Sequence, residues 1–527
     1  MRDAADKGNA MGPEETREVP ADSRGWAVAV AALVLAAGCL AHFLFGFYSL
    51  DRGGHAWGSD DAYISFRYAR NLVDGHGLVY NPGERVEGYS NLLWTLLVAG
   101  GMRAGFDAHP FSVFVGISFA LAALLIYHER ARRALGATRA AAAAMVLAVC
   151  PPIWLWSTSG LETPLVLLVQ LALWVALDRL ADGQTRGSVW LLCASAAVSV
   201  LVRCDGFVVP IFAVGWLVAT RRFRVAAALS ATVAGVMIPY LLWRHQYYGD
   251  WLPNVYYAKV CGAIGWRLAA GARHLGLLLV KEGLIAPVTA LLVSLIVVLR
   301  RRAAPRFEHV LGVGLIGYWL YVGGDAFHER FLLVLWPLGA FALLRLLPET
   351  RPGRAVVAAV VIFALVQQIP VFVDARYHWS GAKFDRWLTL GEFLREHHAG
   401  QTLAIDAAGK VPFVSGMPTI DMLGLNDRTL ARMDKPFVYV GHNTYDADYV
   451  LGRKPDVIAA WTSSSLDLMW GLARSRYEAS GYRRTYLVNG KPGSREPNII
   501  DVRGMSESQT RALIADGYTY AVLVRGP

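Results

Sequence analysis

Charge is scarce in this chain. Only 17% of its 527 residues are Asp, Glu, Lys or Arg, while 55% are apolar. Soluble domains carry about 25% charged residues, so a soluble enzyme and a disordered polypeptide are both excluded. Cysteine is scarcer still. Cys39, Cys150, Cys193, Cys204 and Cys261 show no CxxC spacing and lie in or beside apolar runs, which argues against a disulfide framework or a zinc site. There is no Walker-type phosphate loop, HExxH pair or GxSxG elbow. ATP-driven transport and zinc proteolysis therefore lack their usual sequence support.

What is present points to a bilayer. Basic residues outnumber acidic ones by 51 to 41, a net charge of +10. A nucleic-acid partner would need those cations on a polar surface. Here short basic clusters instead separate long apolar stretches through the first 372 residues, so no nucleic acid is expected. Seventeen Trp, 22 Tyr and 21 Phe suit a membrane–water boundary. The chain reads as an α-helical polytopic membrane protein.

Residues 1–25 mix charges with Gly and Pro and read as a disordered cytoplasmic tail. Basic groups at 130–139, 221–224, 300–306 and 345–354 belong on the cytoplasmic side by the positive-inside bias. Spans near 26–48, 109–128, 140–157, 162–178, 188–203, 206–219, 225–243, 284–300, 308–322, 331–347 and 354–372 then alternate consistently, about eleven crossings. The first outer loop, 49–108, contains an apolar run, Asn91–Gly101, too short to cross. It reads as an interfacial or re-entrant helix. Residues 373–527 regain charge, Gly and Pro, with short apolar runs between helix-like stretches. That pattern predicts an extracytoplasmic soluble α/β domain following a membrane domain over 26–372.

Ionisable residues at membrane depth or at span ends are costly unless paired or functional. They gather on the outer side, whereas the inner ends read as mostly solvent-facing arginines. The pair Asp60–Asp61 opens the first outer loop before a helix-spaced run from Tyr63 to Leu72. Two acids there can cap a helix, or serve as general base or nucleophile. Adjacent side chains diverge, so the two are expected to do different jobs. Glu162 stands at the start of a helix, where its charge suits the dipole. Arg203 and Asp205 flank a hairpin and can pair with each other. His245, Tyr247, Tyr248, Asn254, Tyr257 and Lys259 mix rings with polar groups, as sugar sites do, and Lys259 suits a phosphate. Asp325, His328 and Arg330 follow two glycines at a span entry, where an arginine suits a phosphodiester or snorkels to lipid.

The run DDAYISFRYARNLVDGHGLVYNPGERVEGYSN at 60–91 resembles the first outer loop of GT-C membrane glycosyltransferases. SGLET at 159–163, RCDG at 203–206, YYGDWLPNVYYAK at 247–259 and GGDAFHERF at 323–331 extend the likeness. It is nearest to terminal β-(1→2)-arabinofuranosyltransferases and pilin arabinofuranosyltransferases. The resemblance implies a polyprenyl-phosphate sugar donor, used at the outer face of the cytoplasmic membrane. It also implies an essential Asp at the position of Asp60 and Asp61. Arg67 and Glu87 lie in the same run and join the candidate substrate-binding set. The acceptor is expected to be a glycan, glycolipid or protein, and no nucleotide cofactor is needed because the donor carries its own leaving group. Outer carboxylates have the donor atoms for a divalent cation, but no ligand spacing demands one. Competing readings are a lipid-oligosaccharide polymerase or ligase, and a transporter or flippase. The latter should show paired broken helices in matching halves with ionisable residues at mid-membrane.

Overall fold

The structure, a computed structural model, describes residues 26–45, 47–49, 58–184, 187–260, 262–281, 283–325, 330–347, 377–379, 385–433, 444–490 and 498–526, with single positions at 350, 355, 359, 362 and 366. The expected tail, 1–25, lies outside them, as does nearly all of the span expected at 354–372.

Four helices are long and apolar enough to cross a bilayer: Trp26–Phe45, Ala108–Leu135, Thr163–Ala181 and Phe223–Tyr248. Shorter apolar helices, Ser188–Val202, Val208–Ala219, Phe307–Val322 and Leu335–Leu346, pack among them. The span expected at 140–157 is instead two helices, Ala137–Ala148 and Pro151–Thr158, bent by 54°. Pro151 and Pro152 explain the break, since proline has no amide donor for the preceding turn but fits the first turn of a new helix. The run Ile264–Lys281, assigned to no span by sequence, is an 18-residue helix.

Of the arginines expected on the inner side, Arg133, Arg221, Arg224, Arg300, Arg301 and Arg302 are exposed, as the sequence leads one to expect, whereas Arg130, Arg306 and Arg345 converge on acids of a neighbouring helix. Arg130 is buried and pairs with Asp178 at 2.5 Å and with Asp182. Arg306 and Arg345 reach Asp178 at 2.8 and 2.9 Å, and Arg345 also reaches Glu308 at 3.0 Å. Four helices are tied together by acids that sequence spacing does not link to their arginines. Removing one partner of a buried pair strands the others, at about 3–5 kcal/mol. Asp178→Ala is therefore expected to lower the unfolding temperature of detergent-solubilised protein, which a thermal-shift assay reads.

Above the membrane helices, Leu92–Arg103 is a helix of 12 residues, about 18 Å long at 1.5 Å per residue and too short to cross ~30 Å of hydrocarbon. Trp94 anchors it, donating to the Gly160 carbonyl at 2.9 Å.

The carboxyl-terminal region forms a six-stranded mixed sheet: β1 (Leu403–Ile405), β2 (Thr419–Asp421), β3 (Val457–Trp461), β4 (Tyr482–Val488), β5 (Ile499–Asp501) and β6 (Tyr520–Arg525). Their order is β2-β1-β3-β6-β4-β5, with the first three parallel and the rest antiparallel. Side chains alternate across a strand, so Ala404, Ile458, Ala521 and Leu523 feed one apolar layer. Leu403, Ile405, Val457, Ala459 and Val522 feed the other, beneath helix Arg386–His397. Asp385 caps that helix, accepting from the Trp387 and Leu388 amides, and pairs with fully buried Lys410 at 2.5 Å.

The outer loop and this sheet domain are fastened together. Arg67 donates to the Tyr80 and Met417 carbonyls at 2.7 and 2.8 Å and to the Pro412 carbonyl at 2.5 Å. Tyr80 donates to the Ala408 carbonyl at 2.6 Å. Asn254 donates to the carbonyls of Gly424 and Leu425 at 2.8 and 3.0 Å. Gly88 packs so tightly that a Cβ would stand 1.9 Å from the Asn426 side-chain oxygen.

Candidate functional site

Helix Asp60–Val73 begins where Ser59 donates its amide to the Ser159 carbonyl at 2.8 Å, which pins the first turn beside the Thr163–Ala181 helix. The two acids that open it part company. Asp60 turns to the sheet domain, where its carboxylate accepts from the Gly409 and Lys410 amides at 3.1 and 2.8 Å. Burial pushes its pKa up to about 6, offset in part by the Lys410 amide and ammonium. Asp61 turns the other way, into a cavity of about 400 Å³.

Segments far apart in sequence build that cavity. Asp61 and Ser65 come from the first helix, Tyr89, Ser90 and Asn91 from the loop after it, and Glu162 from the start of a span. Lys259 ends the short helix Asn254–Lys259, Arg330 opens the turn Arg330–Leu332, and Leu425 belongs to the sheet domain. Ser65 donates to Asn91 at 2.9 Å, and Asn91 donates to Glu162 at 2.7 Å. Glu162 is also paired with Arg203 at 2.6 Å, Arg203 with Asp205 at 2.7 Å, and Tyr318 donates to Asp205 at 2.8 Å. Arg330 is held by Asp325 at 2.5 Å. Asp61 and Lys259 form no ion pair among the described residues. The cavity thus offers a carboxylate outside any ion pair among the described residues, an ammonium that acts on Asp325 through its charge without a direct salt bridge, and a braced guanidinium beside them.

Beyond the Glu162–Arg203 pair lies a second hollow of about 530 Å³. Its walls are apolar, including Val166, Val169, Val202, Val209, Leu315 and Phe331, and Arg203, Asp205 and Tyr318 form its polar end. A pocket lined by two acids and two cations, adjoining an apolar groove between membrane helices, suits a lipid with a charged head.

Known proteins resemble this chain in sequence and in fold. Residues 93–243 match the family model described as dolichyl-phosphate-mannose-protein mannosyltransferase, and residues 374–512 match a domain of unknown function. The terminal β-(1→2)-arabinofuranosyltransferase of Mycobacterium tuberculosis is 28% identical over 356 residues, 58% of this chain and 55% of that protein. Its namesake in Corynebacterium glutamicum is 26% identical over 383 residues, 62% of this chain and 53% of that one. The chain spans little more than half the length of these curated relatives. In the crystal structure of ArnT from Cupriavidus metallidurans bound to undecaprenyl phosphate, the same fold covers 96% of this chain and 100% of that one, with a TM-score of 0.57 at 13% identity. The chain has the GT-C fold.

Within that GT-C fold the other sequence candidates take different places. Glu87 is buried against Arg244 at 2.6 Å, and burial, offset by that guanidinium, lifts its pKa to about 7. Tyr248 donates to the Leu78 carbonyl at 2.8 Å, Tyr247 accepts from the Leu78 amide at 3.2 Å, and Arg432 lies over the Tyr257 ring. These three, with Arg67, Glu87 and Asn254, lie outside the cavity lining, and the contacts named here hold the outer loop and the sheet domain in place. His245 is exposed and stacks on Trp251 at 4.2 Å, also away from the cavity. His328 lies outside the described residues. Sequence reasoning missed Ser65, Tyr89, Ser90 and Asn91, although all four fall within the quoted run 60–91. It also missed Leu425, which carries no chemical signal. Among the described residues no group of three or more His, Cys, Asp or Glu is placed to hold a metal.

Proposed function

We propose that this chain is a membrane glycosyltransferase. It moves a sugar, with arabinofuranose as first candidate, from a polyprenyl-phosphate donor to a cell-envelope glycan, glycolipid or protein at the outer face of the cytoplasmic membrane. The observation that carries the proposal is the juxtaposition of Asp61, Lys259 and Arg330 in one cavity beside an apolar groove. The prenyl chain lies in the groove, and its phosphate meets Lys259 and Arg330. The bond from the anomeric carbon to the phosphate oxygen breaks, and the anion that leaves is stabilised by those two cations. A new bond forms to an acceptor oxygen, and the hydroxyl proton is taken up at Asp61 when that carboxylate acts as base. If Asp61 is instead the nucleophile, a glycosyl ester on it precedes transfer. The anomeric configuration of the product separates the two routes.

The relatives support the sugar and the donor class, since two are named terminal β-(1→2)-arabinofuranosyltransferases, the ArnT crystal structure holds undecaprenyl phosphate and the matching family is named for dolichyl-phosphate-mannose. The test is incubation of the full chain in nanodiscs with synthetic polyprenyl-phosphate pentoses and hexoses plus oligosaccharide acceptors, read by mass spectrometry. Transfer from the arabinofuranosyl donor is expected, and failure with every donor would overturn the proposal. Glu162, the second carboxylate lining the cavity, is committed to Arg203 and Asn91. Among the described residues a divalent cation therefore finds no free pair of carboxylates there, and EDTA is expected to leave the transfer rate unchanged.

A further inference from the structure

Asp60 stands next to the uncommitted acid of the cavity, yet it is bound to a different domain. Its carboxylate takes both leading amides of the Gly409–Lys410 turn, 349 and 350 residues further along the chain. The turn follows β1, so the carboxyl ends of the parallel strands face the membrane-side helix. Fit there is close: a Cβ on Gly409 would stand 1.9 Å from the Asp60 carbonyl oxygen. Lys410 is itself fixed by Asp385, which caps the helix covering the sheet. The sheet domain also supplies a wall of the cavity through Leu425.

We propose that Asp60 is a positioning residue. By binding the Gly409 and Lys410 amides it clamps the sheet domain onto the first turn of the helix that carries Asp61. It thereby sets both the aim of Asp61 and the position of the Leu425 wall, and the site is complete only with the domain docked. This inference rests on the glycosyltransferase reading for its kinetic consequence, but the clamp itself does not. In this respect the adjacent acids separate cleanly: Asp61 meets the reactants, and Asp60 never does.

Two measurements on the full chain in detergent test it. Hydrogen exchange by mass spectrometry reads the clamp without any assay of activity. Peptides covering 408–415 are expected to lose protection in Asp60→Ala and in Gly409→Ala, which wedges the contact from the other side, and to keep it in Asp61→Asn. Unchanged protection in both clamp variants would overturn the proposal whether or not the chain transfers sugar. Kinetics then separate positioning from chemistry. Asp60→Ala and Gly409→Ala are expected to slow transfer alike, by about 10²-fold for a misplaced reacting group, with the donor KM unchanged. Asp60→Asn keeps one acceptor oxygen for the amides and is expected to stay within about tenfold of the unaltered protein, the loss of one hydrogen bond. If Asp60→Asn abolishes transfer while 408–415 stays protected, Asp60 acts on the reactants and the positioning role is wrong.

Discussion

Asp61→Asn protein is expected to fold, to bind polyprenyl phosphate as the unaltered chain does, and to transfer sugar about 10²–10⁴-fold more slowly. That range is what a positioned proton acceptor contributes. The substitution is nearly isosteric, and Asp61 forms no ion pair among the described residues that its loss would strand, so stability should barely move. The neighbouring acid gives the internal contrast, since Asp60→Asn should retain most activity. Quenching the unaltered enzyme with donor alone adds a second readout. One pentose mass on the peptide containing Asp61 identifies a nucleophile, and its absence together with an inverted product identifies a base. A folded Asp61→Asn protein with full kcat would remove the carboxylate from the mechanism altogether.

Much of this site was legible because ionisable groups near a bilayer are expensive. Asp61, Glu162, Lys259 and Arg330 stood out in sequence for that reason, and they line one cavity. Their cost also explains why the same filter selected too many. Arg67 and Asn254 are equally polar residues near the membrane, but they are satisfied by main-chain carbonyls of the sheet domain. A carbonyl carries no side-chain signature, so sequence cannot tell an arginine that binds ligand from one that binds backbone. Several of the described helices, such as Ser188–Val202, Val208–Ala219 and Ile285–Arg300, lie within two residues of the expected spans, because an apolar run leaves one option in lipid. One exception, at Cys150–Pro152, came from treating a continuous apolar stretch as one span despite two prolines, and another is the helix Ile264–Lys281, assigned to no span by sequence. At the opposite end of the helices from the cavity, Asp178 and Asp182 sit in a helix and its cap, and nothing in their spacing announces that Arg130, Arg306 and Arg345 converge on them. Charge counting groups those arginines at one end of their helices, but it does not show that Arg130 is buried and that Arg306 and Arg345 are only partly exposed.

Lys259→Met should weaken the donor most. Methionine keeps most of the side-chain volume and removes only the charge, and Asp325, which Lys259 helps to hold ionised, keeps its direct salt bridge to Arg330. A hydrogen bond to a charged group contributes about 1.5–3 kcal/mol, so donor affinity should fall by roughly 10–150-fold at 1.4 kcal/mol per tenfold. Binding of polyprenol without its phosphate should not change, because the apolar groove is untouched. Arg330→Ala is a poorer probe of the same point. It leaves Asp325 buried and unpaired, at about 3–5 kcal/mol, so lost activity would mix misfolding with lost phosphate contact. The paired change Arg330→Met with Asp325→Asn removes that penalty and isolates the guanidinium. Titrating polyprenyl phosphate against each nanodisc-embedded variant by calorimetry gives the comparison directly. Should Lys259→Met and the paired variant both bind the lipid phosphate like the unaltered chain, the head of the donor does not sit between Lys259 and Arg330, and the cavity beside Asp61 must be assigned to the acceptor instead.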